Sequence, residues 1–553
     1  MAGPQWLESI KEISGLDPLG VQAISQNIYG YLLPGMTNVT SRLRYYTFLC
    51  WVLFNYSKKI KSKKLEDWYI YLRKAEFLFA LITDMHHIDE IGYYSAMVGS
   101  EKTRQLLRNN NEEVIHLTEY TKFEDSPQRY FQNKGGGFSQ YYQGSMKQLK
   151  LIVDGGPLNF QLADNISKTK EVRYGIQAVN VFLSNSLLDL FHECIITEKV
   201  TRTQLREMGD SLCACNIVKN NNEHKLLTDL LFNIDNYFGD EGDRRKNTLN
   251  LILNLIKNNK YEGITIDDFR DICMYGYYPD ASELRIKPNI KEILEWWKIY
   301  QMHEYFSFSL QSLFYLFEKI IDEIKGNFEK IFAYIQGEML LKKISDIPSL
   351  EAFSIIDFNP DINFKKFLEY ISFSNDDEVN WNTNKVSEHY LKLQVFKYIK
   401  EDNLAAILYS ALIILGKIYL KTFKIKNFYR DINIDLYNTY RININYLNLF
   451  IKNSINDNLW VFINKILREF VVERHVIVAL RKLRYVKRST IRYVLENQEY
   501  TRCINIGYDM PVDTSPRLFT AFRFLEDLDF IKKTNENKYV LKDNGLKFMD
   551  KDR

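Results

Sequence analysis

TSRLRYYTFLCWVLFNY, residues 40–56, begins with a threonine suited to capping a helix, carries Arg42 and Arg44 early, and then runs apolar on all sides. A helix without a solvent face belongs inside a core, so this segment predicts a core-penetrating helix. KKIKSKK (58–64) follows as a solvated connector. From Leu65 to Met85, Trp68, Leu72, Ala75, Phe79 and Ile82 recur at spacings of three and four, which predicts a second helix. The same period returns along the chain, while strand-like alternation is scarce until its end. The expected fold class is therefore mainly α, with a multi-domain helical body.

A chain of 553 residues with 46% hydrophobic residues can bury several cores, and 24 Gly with 11 Pro leave little for long irregular tracts. The longest apolar run, Leu404 to Gly416, is flanked by Asn403 and Lys417 and is too short to span a bilayer, so it is expected as a buried core helix with no membrane contact. Glu8, Lys11, Glu12 and Asp17 interrupt the stretch where a secretory signal needs apolar residues. Six cysteines, Cys50, Cys194, Cys213, Cys215, Cys273 and Cys503, lack framework spacing and read as free buried thiols. A cytoplasmic protein is expected.

Composition shifts suggest the domain limits. Gly135-Gly136-Gly137, Gly144 and Gly155-Gly156-Pro157 break the helical pattern and mark a mobile or specially shaped region. An acidic, Gly-bearing turn at 238–246 precedes the apolar run Leu249 to Ile256, a polar break falls at 374–385, and 427–457 is rich in Asn, Asp and Tyr. The expected divisions are an N-terminal helical domain (1–240), a middle helical domain (241–425), a connector (426–467) and a C-terminal domain (468–553).

In that last stretch, Glu473 to Leu483 and Ser489 to Glu496 read as two short helices. A third is capped by Thr514 or Ser515, has Pro516 in its first turn, and lines up Leu518, Phe522, Leu525 and Leu528 on one face. Phe530 to Thr534 and Lys538 to Leu541 form a hairpin around Asn535-Glu536-Asn537, and Asp543 opens a final helix. Leu525-x-x-Leu528-x-Phe530-Ile531, followed by Tyr539-Val540-Leu541-x-x-x-Gly545, resembles the end of winged helix-turn-helix regulators, in which recognition helix, wing and last helix follow in that order. Asn497 to Asp513 departs from that pattern as an insertion ahead of the third helix, either a further hairpin or a block over the groove-binding surface. The stretch from Arg468 onward holds 18 Lys and Arg against 13 Asp and Glu, while the remainder is net negative by two. The resemblance and this charge imply contact with double-stranded DNA through Arg517, Thr520 and Arg523 on the third helix, Lys532, Lys533 and Lys538 on the wing, and Arg488 and Arg492 before it. Protein docking is the alternative use of such a module.

Catalytic motifs are not evident in the sequence. Asp84, His86, His87, Asp89 and Glu90 are the densest set of potential metal ligands. On a continuous helix Asp84 would share a face with His87, and His86 with Glu90, giving one edge of a metal site. The competing reading is a helix C-terminus where histidines meet the dipole. GGGFSQYYQGSMK (135–147) lacks the Gly-Lys-Ser/Thr ending of a phosphate loop, and Cys213-Ala-Cys215 has no second pair at finger spacing. His303-Glu304 lacks a second histidine, Ser307 standing in its place. No cofactor is expected.

Leu16-Asp-Pro-Leu-Gly20 through Asn38-Val-Thr-Ser-Arg-Leu-Arg-Tyr-Tyr46 is similar to uncharacterised proteins encoded with bacterial anti-phage defence genes. The resemblance implies a non-enzymatic DNA-binding or adaptor subunit of a multi-component system, with protein partners such as an ATPase or a nuclease. The alternatives are a metal-dependent nuclease using Asp84, His86, His87 and Glu90, and a docking subunit without DNA contact.

Overall fold

A computed structural model describes residues 17–551 apart from 91–94, 111, 157, 164–173, 183–186, 260–262, 342–346, 348–349, 351–361, 373–375, 424–441, 487–488 and 504–506. The described residues are mainly helical, and their named strands form four two-stranded antiparallel sheets. Arg488 and much of the expected connector lie outside them.

The chain forms two compact units, and neither is a contiguous stretch. The first takes Met1–Tyr29, Asp267–Arg285 and Leu294–Thr514; the second takes Gly30–Ile266, Ile286–Ile293 and Ser515–Arg553. These limits cut across the expected ones at 240, 425 and 467. Composition shifts mark where a chain turns, whereas unit membership is set by which apolar faces pair, and here they pair over hundreds of residues. The stretch 468–553 is itself divided after Thr514.

In the second unit the stretch 40–56 forms a buried helix, but it starts at Arg44 after Leu43, with no side-chain cap bond, and not from the expected cap Thr40. The helix Arg44–Asn55 buries every residue except Phe54. A π-turn, Tyr56–Ile60, and Lys61 in the left-handed region (φ 59°) end it. The helix Leu65–His86 packs on Ser100–Asn109 and on Arg202–Leu212. The last of these starts at a capping box: Thr201 Oγ1 accepts from the Gln204 amide at 3.1 Å, and Gln204 Oε1 accepts from the Thr201 amide at 2.9 Å.

The glycine run 135–137 is shaped around a side chain. Glu76 accepts from the amides of Gly137 (2.9 Å) and Phe138 (2.8 Å) and from the Tyr130 hydroxyl (2.9 Å). Gly136 has φ +61°, and a Cβ there would stand 2.3 Å from the Glu76 carboxylate. These amides bind an internal carboxylate. Burial nonetheless raises Glu76 to about 7.

In the first unit the apolar run becomes the 19-residue helix Leu404–Thr422, longer than expected. It is long and apolar enough to cross a membrane, yet 89% of its apolar window is buried inside the protein, packed against Glu388–Lys400 among others.

The C-terminal elements match the expectation in part. The helix Arg474–Val486 forms, but the expected helix over 489–496 is instead the strand Tyr493–Glu496, paired with Glu499–Arg502. Tyr493 and Val494, aromatic and β-branched, favour a strand, and Asn497 and Gln498 supply the turn with φ of 51° and 68°. The insertion is thus a further hairpin at its start. The helix Leu518–Asp527 begins without the expected cap: Arg517 precedes it in the left-handed region (φ 60°), with no side-chain cap bond. The hairpin Ile531–Lys533 with Tyr539–Leu541 and the helix Asp543–Lys551 complete the chain as expected.

Candidate functional site

The helix Leu65–His86 ends one residue short of the continuous pattern that would pair Asp84 with His87. His87 leaves the helix (φ −109°, ψ 23°), so its ring stands nearly perpendicular to that of His86 with centroids 4.9 Å apart. Opposite, Cys213 ends the helix Arg202–Leu212 with extended ψ (137°), and Cys215 follows in the turn. The two chain ends are tied together, the Ala214 amide donating to Thr83 Oγ1 at 3.2 Å. One ligand atom from each of His86, His87, Cys213 and Cys215 then falls within 4.8 Å of every other. His87 Nε2 lies 3.2 Å from Cys215 Sγ and 3.4 Å from Cys213 Sγ, and the two sulfurs are 2.8 Å apart as free thiols.

A buried guanidinium holds the cysteine turn. Arg44 Nη1 donates to the carbonyls of Ser211 and Cys213, both at 2.7 Å, while its Nε and Nη2 form a two-pronged ion pair with Glu223 at 3.2 and 2.9 Å. Thr47 donates to the same carboxylate at 2.6 Å. Gly209 gives His86 room, since a Cβ there would stand 3.1 Å from Nδ1. On the outer side, His87 Nδ1 lies 2.7 Å from Glu90 Oε1. The cluster polarises its own groups. Cys215 is held well below the usual thiol range by the hydrogen bond from Cys213 and, against burial, by His87, whereas burial pushes Cys213 up. Burial pulls His87 down, but its bonds to Cys215 and Glu90 outweigh that, and it is raised overall.

Of the four metal candidates read from sequence, His86 and His87 enter the cluster while Asp84 and Glu90 do not supply its donors. Asp84 is buried, accepts from the Thr103 hydroxyl and faces Arg104 at 3.8 Å. The two thiols are visible in the sequence as a pair without a second pair nearby. Their partner His87 stands 126 residues from Cys213 along the chain, a relation that local spacing does not carry.

The basic residues of the C-terminal stretch divide by burial. Arg517 Nη1 donates to the Leu33 carbonyl at 2.9 Å, and its amide donates to Asn38 Oδ1 at 2.8 Å. Thr520 is fully buried, its hydroxyl donating to the Thr37 carbonyl at 2.7 Å. Arg523 pairs with Glu526 at 2.7 Å. Arg492 is buried in the first unit and ion-paired with Asp509. Lys538 lies 3.8 Å from Glu536. Lys532 and Lys533 are exposed. The helix expected to face a DNA groove therefore directs Thr520 and Arg517 inward, because Leu518, Ala521, Phe522 and Leu525 bury it on several sides.

No family model, curated protein or solved structure matches the chain.

Proposed function

We propose that the chain is a non-enzymatic DNA-binding or adaptor subunit, of the multi-component defence type suggested by its N-terminal stretch, with its DNA contact confined to phosphates. The observation that carries this reading is the exposure of Lys532 and Lys533 side by side on the strand Ile531–Lys533. Lys533 shares its face with the buried Ile531 and Tyr539, so that face packs inward, and the two exposed lysines mark the outer part of the hairpin. A hairpin with two adjacent exposed lysines suits a winged helix that lays its wing along a phosphate backbone. With Arg517, Thr520 and Arg492 turned to internal partners, base reading is not expected.

The whole chain should bind a short duplex with little sequence preference and with affinity that falls steeply with salt. Lys532→Glu with Lys533→Glu should weaken it and lower the salt slope by roughly two. Absence of binding at low salt, or binding indifferent to the double variant, rules out the DNA contact.

The adaptor half of the proposal draws on the first unit. On the helix Arg474–Val486, Ile477 (54% exposed) and Leu480 (56%) share a face with exposed Arg481 and Arg484. An apolar stripe beside arginines fits an acidic amphipathic segment of a partner protein. Co-expression with the products of neighbouring genes should give a complex that Ile477→Glu with Leu480→Glu dissociates.

A further inference from the structure

We infer that His86, His87, Cys213 and Cys215 bind one zinc ion as a closed, structural site in the second unit. This goes beyond the DNA and adaptor reading and does not depend on it.

Four donors of this kind define the metal. Two thiols and two imidazoles are soft to borderline ligands, which favour zinc over magnesium, calcium or manganese, whose sites are built from oxygen. Zinc takes four such ligands tetrahedrally, and bond lengths of about 2.0–2.3 Å place neighbouring donors roughly 3.3–3.8 Å apart. The distances from His87 Nε2 to the two sulfurs, 3.2 and 3.4 Å, already approach those edges, and the sulfurs at 2.8 Å need only separate by about 1 Å.

The surroundings are those of a metal-binding histidine and of a fixed ligand turn. Glu90 at His87 Nδ1 is the carboxylate that orients an imidazole so that its other nitrogen faces the ion. Arg44, through the Cys213 carbonyl, and Thr83, through the Ala214 amide, fix the cysteine turn without occupying a donor atom. With four protein donors the coordination is complete, leaving no position for water or substrate, so the ion's role is to join the end of Leu65–His86 to the end of Arg202–Leu212. Metal binding displaces the thiol protons, and any proton on the imidazole nitrogens that face the ion, to solvent; no electron transfer is involved.

The whole chain, purified without chelator or metal-affinity resin, should contain about one zinc per chain by elemental analysis. Cobalt(II) added to metal-stripped protein should give the intense thiolate charge-transfer band and the visible bands of a tetrahedral site. Cys215→Ser and His87→Ala should lower zinc content at least several-fold, while Cys503→Ser should leave it at one. Because a ligand variant could simply fail to fold, the wild-type chain gives the decisive reading: stripping with a strong chelator should lower Tm, and zinc, but not magnesium, should restore it. Wild-type protein that is folded, lacks zinc, gives no cobalt–thiolate band and keeps its Tm in chelator overturns the site, as does retention of full zinc content in Cys215→Ser.

Discussion

The turn that carries Cys213 and Cys215 and the C-terminal basic stretch both give arginines internal partners and differ in what they leave exposed. At the turn, a buried guanidinium, Arg44, is locked between Glu223 and two carbonyls, and polar groups from distant segments converge. In the basic stretch Arg492, Arg517 and Arg523 are absorbed one by one into internal partners, while Lys532 and Lys533, with Arg481 and Arg484, stay exposed. The planar fork of arginine can satisfy several acceptors at once and so tolerates burial, whereas a lysine ammonium is strongly hydrated and holds to the surface. A net charge counted along a sequence therefore overstates the charge available to a partner.

The largest effect that would break this contrast comes from removing one member of a buried pair. Glu223→Ala strands the Arg44 guanidinium and should cost about 3–5 kcal/mol in urea unfolding. A near-neutral result would mean that Arg44 is solvated. Arg492→Ala should cost about 3 kcal/mol, since it leaves Asp509 without its buried partner, and should leave the DNA affinity of the folded fraction unchanged. Weakened DNA binding at full stability would move Arg492 to the surface group.

Glu76 offers a pH test of similar sign logic and somewhat smaller size. Its carboxyl titrates at about 7 in the folded chain against an ordinary 4.5, so the folded state holds more protons between these values. That stability is complete below about 4.5 and is lost as pH rises through 7, by at most about 3 kcal/mol. Glu76→Gln should flatten the dependence of Tm on pH over that window. The smallest effect on folding is expected for Lys532→Ala with Lys533→Ala, which should leave Tm unchanged while reducing the salt slope of DNA binding.

Much of the helical architecture is legible in the sequence because it is written locally. The periodicity of 65–85 gives the helix Leu65–His86 nearly to the residue, and the all-round apolarity of 40–56 gives the body of Arg44–Asn55 but not its start, which lies four residues past the expected cap Thr40. The hairpin Ile531–Leu541 is legible from its turn residues. The strand Tyr493–Glu496 is not, because a short run of mixed residues satisfies either period, and pairing with Glu499–Arg502 decides between them. Half of the cysteine–histidine cluster is visible as a pair of histidines and half as a pair of thiols. A continuous helix would give the histidines other companions, Asp84 and Glu90, but the chain turns at His87.

By itself, then, the sequence determined the features set by period and side-chain type: a mainly helical protein, with a core helix over 404–416 that the structure extends to Thr422, and a hairpin near its end. Only the tertiary structure decided which helices share a unit, that Arg44 and Arg492 lie inside, and that His86 and His87 meet Cys213 and Cys215. The reason is that helix formation depends on neighbours three and four residues away, whereas burial of a charge or convergence of four donors depends on segments far apart along the chain.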